Sequence, residues 1–171
     1  MKRLACQLIG AAALFIAAAA ETDEVTGVDR FKLWNDCMPM KLGVENLDDA
    51  ATEIGLKKEA VETTVRSRLR AARLFDGDAL DGASVAAASS ILLVRVTVVG
   101  VGHAFSISVE YMKRVIDIAS EGKTFATTWK RDSTGTHGLN SGYILSVLSR
   151  HTDKFIDEYL RVNEDACSRS P

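Results

Sequence analysis

The amino-acid sequence predicts an α+β fold, a two-layer sandwich in which a mainly antiparallel four-stranded sheet carries two helices on one face. Residues 57–74 and 141–163 have apolar side chains at helical spacing. Between them, a long run of alternating apolar and polar residues predicts three consecutive strands. A shorter alternation that begins at Met38 predicts one strand before the first helix. The predicted order of elements is therefore β-α-β-β-β-α.

The first strand and the first helix each contain one residue that constrains its surroundings. Pro39 has no N–H to donate to a neighbouring strand, so it favours a sheet edge or the start of the strand. Arg68 falls on the apolar side of the helix, where its guanidinium must either extend to solvent or meet a carboxylate. The remaining residues of that apolar side are Val61, Val65, Leu69 and Ala72.

The hairpin at the centre of the chain has a register that the sequence itself supports. Strands at 91–100 and 104–111 are joined by a four-residue turn at 100–103. This turn places Thr97 opposite Ser106, and the polar residues of both strands then share one face of the sheet. One face is therefore predicted to be apolar and the other polar.

The meander continues through a bent strand at 112–119, for which a short helix is the alternative, and a turn at 120–123. A last strand follows, in which Phe125, Thr127 and Trp129 alternate with other residues. The sheet face opposite the helices is polar, so it can meet water or a partner. We expect that face to carry Arg95, Thr97, Ser106, Ser108, Glu110, Thr128 and Lys130.

The first twenty residues have the pattern of a secretory signal peptide. Lys2 and Arg3 precede a short apolar stretch, which ends in small residues at Ala20, where we expect cleavage. The apolar stretch is shorter than the roughly 20 strongly apolar residues of a membrane-spanning helix, although a retained anchor is the alternative. We expect 21–30 to be a flexible lead-in and 31–171 to form one α+β domain, without stable membrane insertion after cleavage.

Charge and cysteine content indicate an exported protein without a nucleic-acid partner. The chain has 21 basic and 23 acidic residues, and cleavage would leave 19 basic residues and a net charge of −4. Such a chain has no overall field that attracts nucleic acid or anionic lipid. Cys37 and Cys167 remain after cleavage, and in an oxidising compartment we expect them to form a disulfide. Two free thiols are the alternative.

The segment TTWKRDSTGTHG, residues 127–138, is the most distinctive candidate site. Its glycines permit positive φ, basic side chains lie beside them, and the segment leads into the start of a helix, where an anion is favoured. It lacks the spacing of a phosphate-binding P-loop, and a purely structural turn is the alternative. The residues that we assign to a weak ligand-binding site are Arg131, Thr134, Gly135, Thr136, His137 and Gly138.

No other pattern indicates catalysis, a metal or a cofactor. His151 is predicted to lie at the edge of the core and His103 in the hairpin turn, and neither is at metal-ligand spacing on its element. Asp76, Asp78 and Asp81 lack the ligand spacing of a calcium loop. No serine, threonine or cysteine belongs to a recognisable nucleophile motif. We therefore assign no catalytic residue, no metal and no cofactor.

Four segments together carry a resemblance to a known family: VRSRLRAARLF, AFSISVEY, TTWKRDSTGTHG and FIDEYLRVNEDAC. In combination they resemble a family of small exported proteins of unknown function from alphaproteobacteria, over about residues 31–167. The resemblance implies a Gram-negative periplasm and adds no catalytic residue, because the family has no activity to transfer.

Two further points qualify this resemblance. Members often have threonine before the first helix, where this chain has Leu56 and Lys57, which leaves the cap of that helix open. At the level of fold alone, the β-α-β-β-β-α order resembles small periplasmic modules such as the amino-terminal domain of TolB. Such an analogy does not fix function.

The sequence favours a non-enzymatic periplasmic module that binds an envelope protein through the polar sheet face or an edge strand. The alternative is a carrier of a small molecule or an anion, with a site near residues 134–138 or between the sheet and the helices. An enzyme is the third hypothesis. A deep pocket lined by Trp129, His137 and His151 would support either of the last two.

Overall fold

The structure, a computed structural model, describes residues 24–75, 77, 88–100 and 103–169. The expected signal peptide and its cleavage site lie outside the described residues, as do Asp76, Asp78 and Asp81. The described chain has an α+β fold with a single open sheet of mixed direction. The fold class predicted from the sequence is therefore confirmed.

Four helices and four strands follow one another in this part of the chain. They are α1 (Gly27–Leu33), β1 (Lys41–Val44), α2 (Asp49–Glu53), α3 (Lys58–Ala71), β2 (Ser90–Val99), β3 (Ala104–Ile116), β4 (Lys123–Thr136) and α4 (Ser141–Cys167). The two long helices, α3 and α4, are the two that helical spacing predicts. The short helices α1 and α2 were not predicted.

The sheet has the order β1-β2-β3-β4, so β1 and β4 are its edges. Strands β2, β3 and β4 are antiparallel neighbours along the chain, whereas β1 pairs in parallel with β2. The parallel pair needs a crossover connection, which contains α3. Pro39 lies two residues before the first residue of the edge strand β1, as its missing N–H favours.

The core lies between α3, α4 and one face of the sheet. Phe155 of α4 contacts Tyr111 of β3, with 5.3 Å between the ring centroids, and Trp129 of β4, with 5.2 Å. These aromatic side chains join the layers in the same buried cluster that contains Val61, Val65, Leu69, Phe105, Ile107, Val109, Ile144, Leu148 and Tyr159. Alternate residues of the strands and one side of each long helix thus form a single dry layer.

The predicted register of the central hairpin is confirmed. Thr97 pairs with Ser106 and Arg95 pairs with Ser108, and the residues between them are buried on the other face. Strand β3 then continues without a helix to Ile116, so the strand predicted at 112–119 is confirmed up to residue 116. Its pairing with β4 is interrupted between Tyr111 and Met112.

That break is a β-bulge, and it corrects one prediction. Tyr111 pairs with Trp129, but the next residue of β3, Met112, pairs with Thr127, so Thr128 is the extra residue. The hydroxyl of Thr127 therefore reaches the polar face, where it donates to Glu110, while that of Thr128 donates to the backbone of α1. The prediction that Thr128 lies on the polar face is therefore wrong, because it assumed simple alternation, which does not reveal a bulge.

The expectation that residues 21–30 carry no regular structure is wrong for the last four of them. Helix α1 begins at Gly27, and Thr26 caps it: the Thr26 hydroxyl accepts from the amide of Asp29, and the Asp29 carboxylate accepts from the amide of Thr26. This reciprocal pair is a capping box, which stabilises the start of a short helix. The sequence contains the signal for this cap, a threonine three residues before an acidic residue, at Thr26 and Asp29.

A disulfide and a buried amide hold the N-terminal segment to the last helix. Cys37 and Cys167 form the predicted disulfide. One turn before it along α4, Asn163 is buried and makes hydrogen bonds to the backbone of residues 33, 35 and 37. The segment between α1 and β1 is therefore fixed at two adjacent points of α4.

Helix α3 shows the consequences of two residues noted in the sequence. Its N-cap, Lys57, makes no side-chain hydrogen bond to the helix, so the helix starts without the cap that a threonine would provide. Arg68 extends to solvent, where its Nη1 lies 3.3 Å from Oδ1 of Asp153 on α4. Arg68 therefore both extends to solvent and meets a carboxylate. The exposed ion pair contributes little to stability.

Candidate functional site

Strand β4 is an edge strand whose two halves differ. Helix α1 lies against the first half, and the hydroxyl of Thr128 donates to the carbonyl oxygen of Lys32 at 2.6 Å. The second half, residues 130–136, has no backbone hydrogen-bond partner on its outer side within the described part of the chain. The bulge at Thr128 marks the boundary between the covered half and the uncovered half.

Two backbone hydrogen bonds show which groups of β4 point outward. The amide of His137 donates to the carbonyl of His103 at 2.7 Å, so this pair and every second pair along the ladder are hydrogen bonded. The bond from Glu45 to the carbonyl of Val94 leads to the same assignment through the register of β2 with β3. The residues of β4 that direct both N–H and C=O away from the sheet are therefore Lys130, Asp132, Thr134 and Thr136.

Two depressions lie between β4 and α4, beside this uncovered edge. The first, which we call the arginine depression, has a volume of about 280 Å³ and is lined by Arg131, Ser133, Thr134, Tyr143, Arg150 and His151. The second, the tryptophan depression, has a volume of about 440 Å³ and is lined by Asp29, Lys32, Thr128, Trp129, Arg131 and Glu158. Arg131 contributes to both, so it stands at their boundary.

The arginine depression combines positive charge with polar atoms that have no partner. Arg131 comes from β4 and Arg150 from α4, and neither forms an ion pair with a carboxylate of the described residues. His151 is 7% exposed, and its Nδ1 has no hydrogen-bond partner among the residues that the structure describes. The hydroxyl of Ser133 is likewise buried without one. Buried polar groups in proteins are nearly always satisfied, so two orphans in one wall are unusual.

The imidazole of His151 is electrostatically suited to the neutral form. Burial lowers its pKa, and the positive charge of Arg131 lowers it further. The backbone carbonyl of Arg131 acts in the opposite direction, Arg150 lowers the pKa again, and the carboxylate of Asp132 raises it. The net result is a pKa below the ordinary value for histidine, because burial disfavours the charged ring and a third positive charge beside two arginines is unfavourable.

The tryptophan depression has mixed charge and a fixed centre. The indole Nε1 of Trp129 donates to Oε2 of Glu158 at 2.7 Å, and Lys154 lies 3.6 Å from the other carboxylate oxygen of Glu158. The depression also contains Asp29, whose pKa is lowered mainly by its hydrogen bonds to the backbone and side chain of Thr26. Trp129, Glu158 and Asp29 in its wall thus already have partners.

The polar sheet face carries a network of charges centred on Glu110. One carboxylate oxygen accepts from Ser108 at 2.9 Å and from Arg95 at 3.2 Å, and the other accepts from Thr127 at 3.1 Å. Arg95 also donates two hydrogen bonds, of 2.7 and 2.6 Å, to the two carboxylate oxygens of Glu45. These residues connect β2, β3 and β4 with the residue that follows β1, through side chains that satisfy one another.

The network shifts the ionisation of its members in the directions that its contacts require. Burial raises the pKa of Glu110, but the hydroxyls of Ser108 and Thr127 and the charges of Lys130 and Arg95 outweigh it, so the pKa is lowered. Hydrogen bonds from Arg95 lower the pKa of Glu45, and the same bonds raise that of Arg95. All the charges of this face are therefore retained at neutral pH.

The predicted ligand residues do not form one loop. Thr134, Gly135 and Thr136 belong to strand β4, where they pair with Ser106, Phe105 and Ala104. Of the predicted set, Arg131 and Thr134 line the arginine depression.

Glycine at position 135 has a packing reason rather than a conformational one. A Cβ there would lie 3.0 Å from Cε1 of Phe105, so the residue provides space for that ring. Gly138 does have positive φ, of 50°, as does Leu139, of 60°, in the turn that leads into α4. Gly135 was therefore wrongly placed in the same turn as Gly138, because Gly135 serves packing in β4 and Gly138 serves the turn.

His137 is part of the turn and not of either depression. It is 2% exposed, its Nδ1 accepts from the amide of Leu139 at 3.1 Å, and its ring meets that of His103 edge-on at 5.6 Å. Its Nε2 is buried without a partner. Trp129 and His151 line different depressions, so the three side chains expected in a carrier's pocket do not come together in a pocket of the described residues.

The sequence did not indicate three residues of the arginine depression as site residues: Ser133, Tyr143 and Arg150. Arg150 was expected to face solvent from α4, and nothing in the local sequence indicates that it lies opposite Arg131. His151 was correctly expected to be buried at the edge of the core, but without a role. Only the approach of β4 to α4 reveals the site.

Searches of the described residues and comparisons with known proteins give no further assignment. Within the ranges that the structure describes, no group of three histidine, cysteine, aspartate or glutamate side chains could hold a metal ion. In the same ranges, no helix has the length and apolar character to cross a membrane. The chain matches no protein-family model, and no curated protein or solved structure is significantly similar to it.

Proposed function

We propose that the protein is a non-enzymatic interaction module of the bacterial periplasm that binds an envelope protein along the outer side of β4. The observation that carries this proposal is the uncovered run of outward backbone groups at alternate residues from Lys130 to Thr136. An extended segment of a partner can continue the sheet there, with main-chain hydrogen bonds supplying affinity.

The edge is a better contact surface than the polar sheet face. The charged groups of that face already pair with one another around Glu110, so a partner would have to replace hydrogen bonds that are satisfied. The outward amides of β4 instead bond to water and lose little when a partner replaces that water. The sequence analysis names both the polar sheet face and an edge strand as contact surfaces, and the geometry favours the edge strand.

The two depressions supply a basis for specificity. Alternate side chains of an added strand point to the same side of the sheet, so those on the helical side would pass the tryptophan and arginine depressions. Lys32, Arg131 and Arg150 border these depressions. The partner segment that fits them carries acidic side chains at alternate positions.

The proposed location rests on chemistry of the chain and on resemblance. A disulfide between Cys37 and Cys167 is compatible with an oxidising compartment outside the cytoplasm. The expected signal peptide at residues 1–20 and the resemblance to small exported alphaproteobacterial proteins both favour the periplasm.

The experiment that tests this function is site-specific photo-crosslinking in the cell envelope. A photoreactive side chain replaces Thr136, which is exposed and whose backbone points outward, and a control protein carries it at exposed Thr63 on α3. The crosslinked species are then compared in two backgrounds, Thr134→Pro and Thr134→Val. Proline removes the outward N–H together with the threonine side chain and fixes φ, which edge strands tolerate, whereas valine changes the side chain and keeps that N–H.

We expect one discrete crosslinked partner from position 136, present in the Thr134→Val background and lost or strongly reduced in the Thr134→Pro background. Equal crosslinking in the two backgrounds would show that the partner does not use the main chain of β4. Crosslinking from position 63 but not from 136 would place the contact elsewhere and refute the proposal.

A further inference from the structure

The arginine depression has a feature that strand addition does not require. Its floor contains a histidine that is 7% exposed and has an unpartnered Nδ1, and the buried hydroxyl of Ser133 in the same wall also lacks a partner. Leaving buried polar atoms unsatisfied is costly, so their presence together calls for an explanation other than packing.

Positively charged side chains from both β4 and α4 line the depression around these atoms. Arg131 approaches from β4 and Arg150 from α4, and Nη1 of Arg150 is directed by a hydrogen bond of 3.0 Å from that nitrogen to the hydroxyl of Ser146. Two guanidinium groups from different elements thus line one depression, and guanidinium N–H donors are suited to carboxylate or phosphate oxygens.

We propose that the arginine depression is a binding site for a single oxyanion, a phosphate or carboxylate group, held between Arg131 and Arg150 above the ring of His151. The volume of about 280 Å³ is ample for one such group. This deepens the proposed function, because an acidic side chain of the added segment is one source of the group and a free ion is the other. Binding of a free ion needs no backbone contact with β4.

The anion and the histidine are coupled. Arg131 of β4 and Tyr143 and Arg150 of α4 line the depression with His151, and the carboxylate of Asp132, which pairs with Lys130 on the other face of β4, acts on it only through its charge. An anion between the arginines cancels the positive charge that disfavours the imidazolium, so His151 takes up a proton when the site fills. At constant ligand charge, affinity therefore increases as the pH falls through the range in which His151 is protonated in the filled site and neutral in the free site. An ion that merely touches surface arginines would not change the titration of a buried ring.

The test is an NMR titration of the disulfide-bonded protein with inorganic phosphate, at constant ionic strength. We expect saturable shifts of the amides of Ser133, Arg150 and His151, and a rise in the titration midpoint of His151 when phosphate is saturating. The Arg150→Gln variant should bind roughly tenfold more weakly, because hydrogen bonds to charged groups are among the strongest. Arg70→Gln, which removes an exposed arginine of α3, is the matched control and should bind as the wild type does.

Other outcomes separate this inference from the proposed function. Phosphate binding that survives in Thr136→Pro, which removes an outward N–H of β4 outside the residues that line the arginine depression, supports the ion site even if the crosslinked partner is lost in Thr134→Pro. Absence of saturable shifts at Ser133 and His151, or equal binding by the Arg150→Gln and Arg70→Gln variants, would overturn the inference. An unchanged midpoint of His151 at saturating phosphate would do the same. None of these results depends on the identity of a protein partner.

Discussion

Replacement of Asn163 by alanine tests how the N-terminal segment is attached to α4. Asn163 is 1% exposed, and its carboxamide makes four hydrogen bonds. Oδ1 accepts from the amides of Asn35 at 2.9 Å and Cys37 at 3.4 Å, and Nδ2 donates to the carbonyls of Leu33 at 3.0 Å and Tyr159 at 2.9 Å. Alanine removes all four bonds.

The expected loss follows from the groups that remain. The carbonyl of Tyr159 keeps its bond within the helix, but the amides of residues 35 and 37 and the carbonyl of residue 33 lose a partner. A buried group left unsatisfied costs about 1–3 kcal/mol, and the two amides are close enough to the surface for water to replace part of that. We expect a loss of about 3–5 kcal/mol, a large fraction of the ~5–15 kcal/mol that stabilises a typical domain.

The assay is urea unfolding of the oxidised proteins, followed by circular dichroism. The control is Asn46→Ala, because Asn46 is exposed and accepts one hydrogen bond from Lys58 at the surface. This variant should lie within about 0.5 kcal/mol of the wild type. A loss below about 1 kcal/mol for Asn163→Ala would refute the reasoning, because it would mean that the carboxamide does not hold the segment.

The variant Asn163→Asp extends the test to pH. A carboxylate could still accept from the two amides, but it would face the carbonyl oxygens of residues 33 and 159, which raises its folded pKa above the ordinary ~3.9 of aspartate. The folded variant then binds more protons than the unfolded one, so its stability falls as the pH rises from about 4 through the raised pKa. Its deficit against the wild type should be larger at pH 7.5 than at pH 4.5.

Three other substitutions have expected outcomes. Cys37→Ser removes the disulfide across 130 residues, for which the chain-entropy model gives about 5 kcal/mol, and an unchanged unfolding midpoint without reductant would contradict this. Gly135→Ala forces a Cβ against Phe105 and should cost about 1–3 kcal/mol by thermal unfolding, whereas a neutral result would show that the ring can move. Glu110 has a lowered pKa, so its contribution is present above about pH 4.5 and is lost as the pH falls through the folded pKa. Glu110→Gln should therefore be less stable at pH 7 and lose less stability on acidification from pH 5, and parallel pH profiles would contradict this.

The central hairpin could be predicted because two independent constraints agree. The turn at 100–103 sets which residues face each other, and the alternation on each strand sets which face is apolar. Only one register satisfies both, and the structure has Thr97 opposite Ser106. The long helices were predictable for a similar reason, since their apolar sides repeat over several turns.

The candidate site was only partly predictable, because its residues come from elements that are distant in the sequence. Arg131 and Thr134 were found through the unusual composition of their segment, and both line the arginine depression. Arg150 and Ser133 carry no such local signal. Gly135 was misinterpreted because a glycine next to hydroxyls indicates a turn as readily as it indicates a strand that must make room for an aromatic ring.

The bulge at Thr128 connects the error in the predicted sheet face with the position of the proposed function. An extra residue reverses the alternation of β4, so that Thr127 takes the polar-face position and Thr128 can bond to α1. Helix α1 covers the strand up to the bulge, and the outward groups from Lys130 onward stay uncovered in the described chain. A β4 without the extra residue would keep one alternation throughout, and Thr128 would turn away from the carbonyl of Lys32. Thr128, whose position simple alternation does not predict, therefore also determines how much of the edge of β4 is open to a partner.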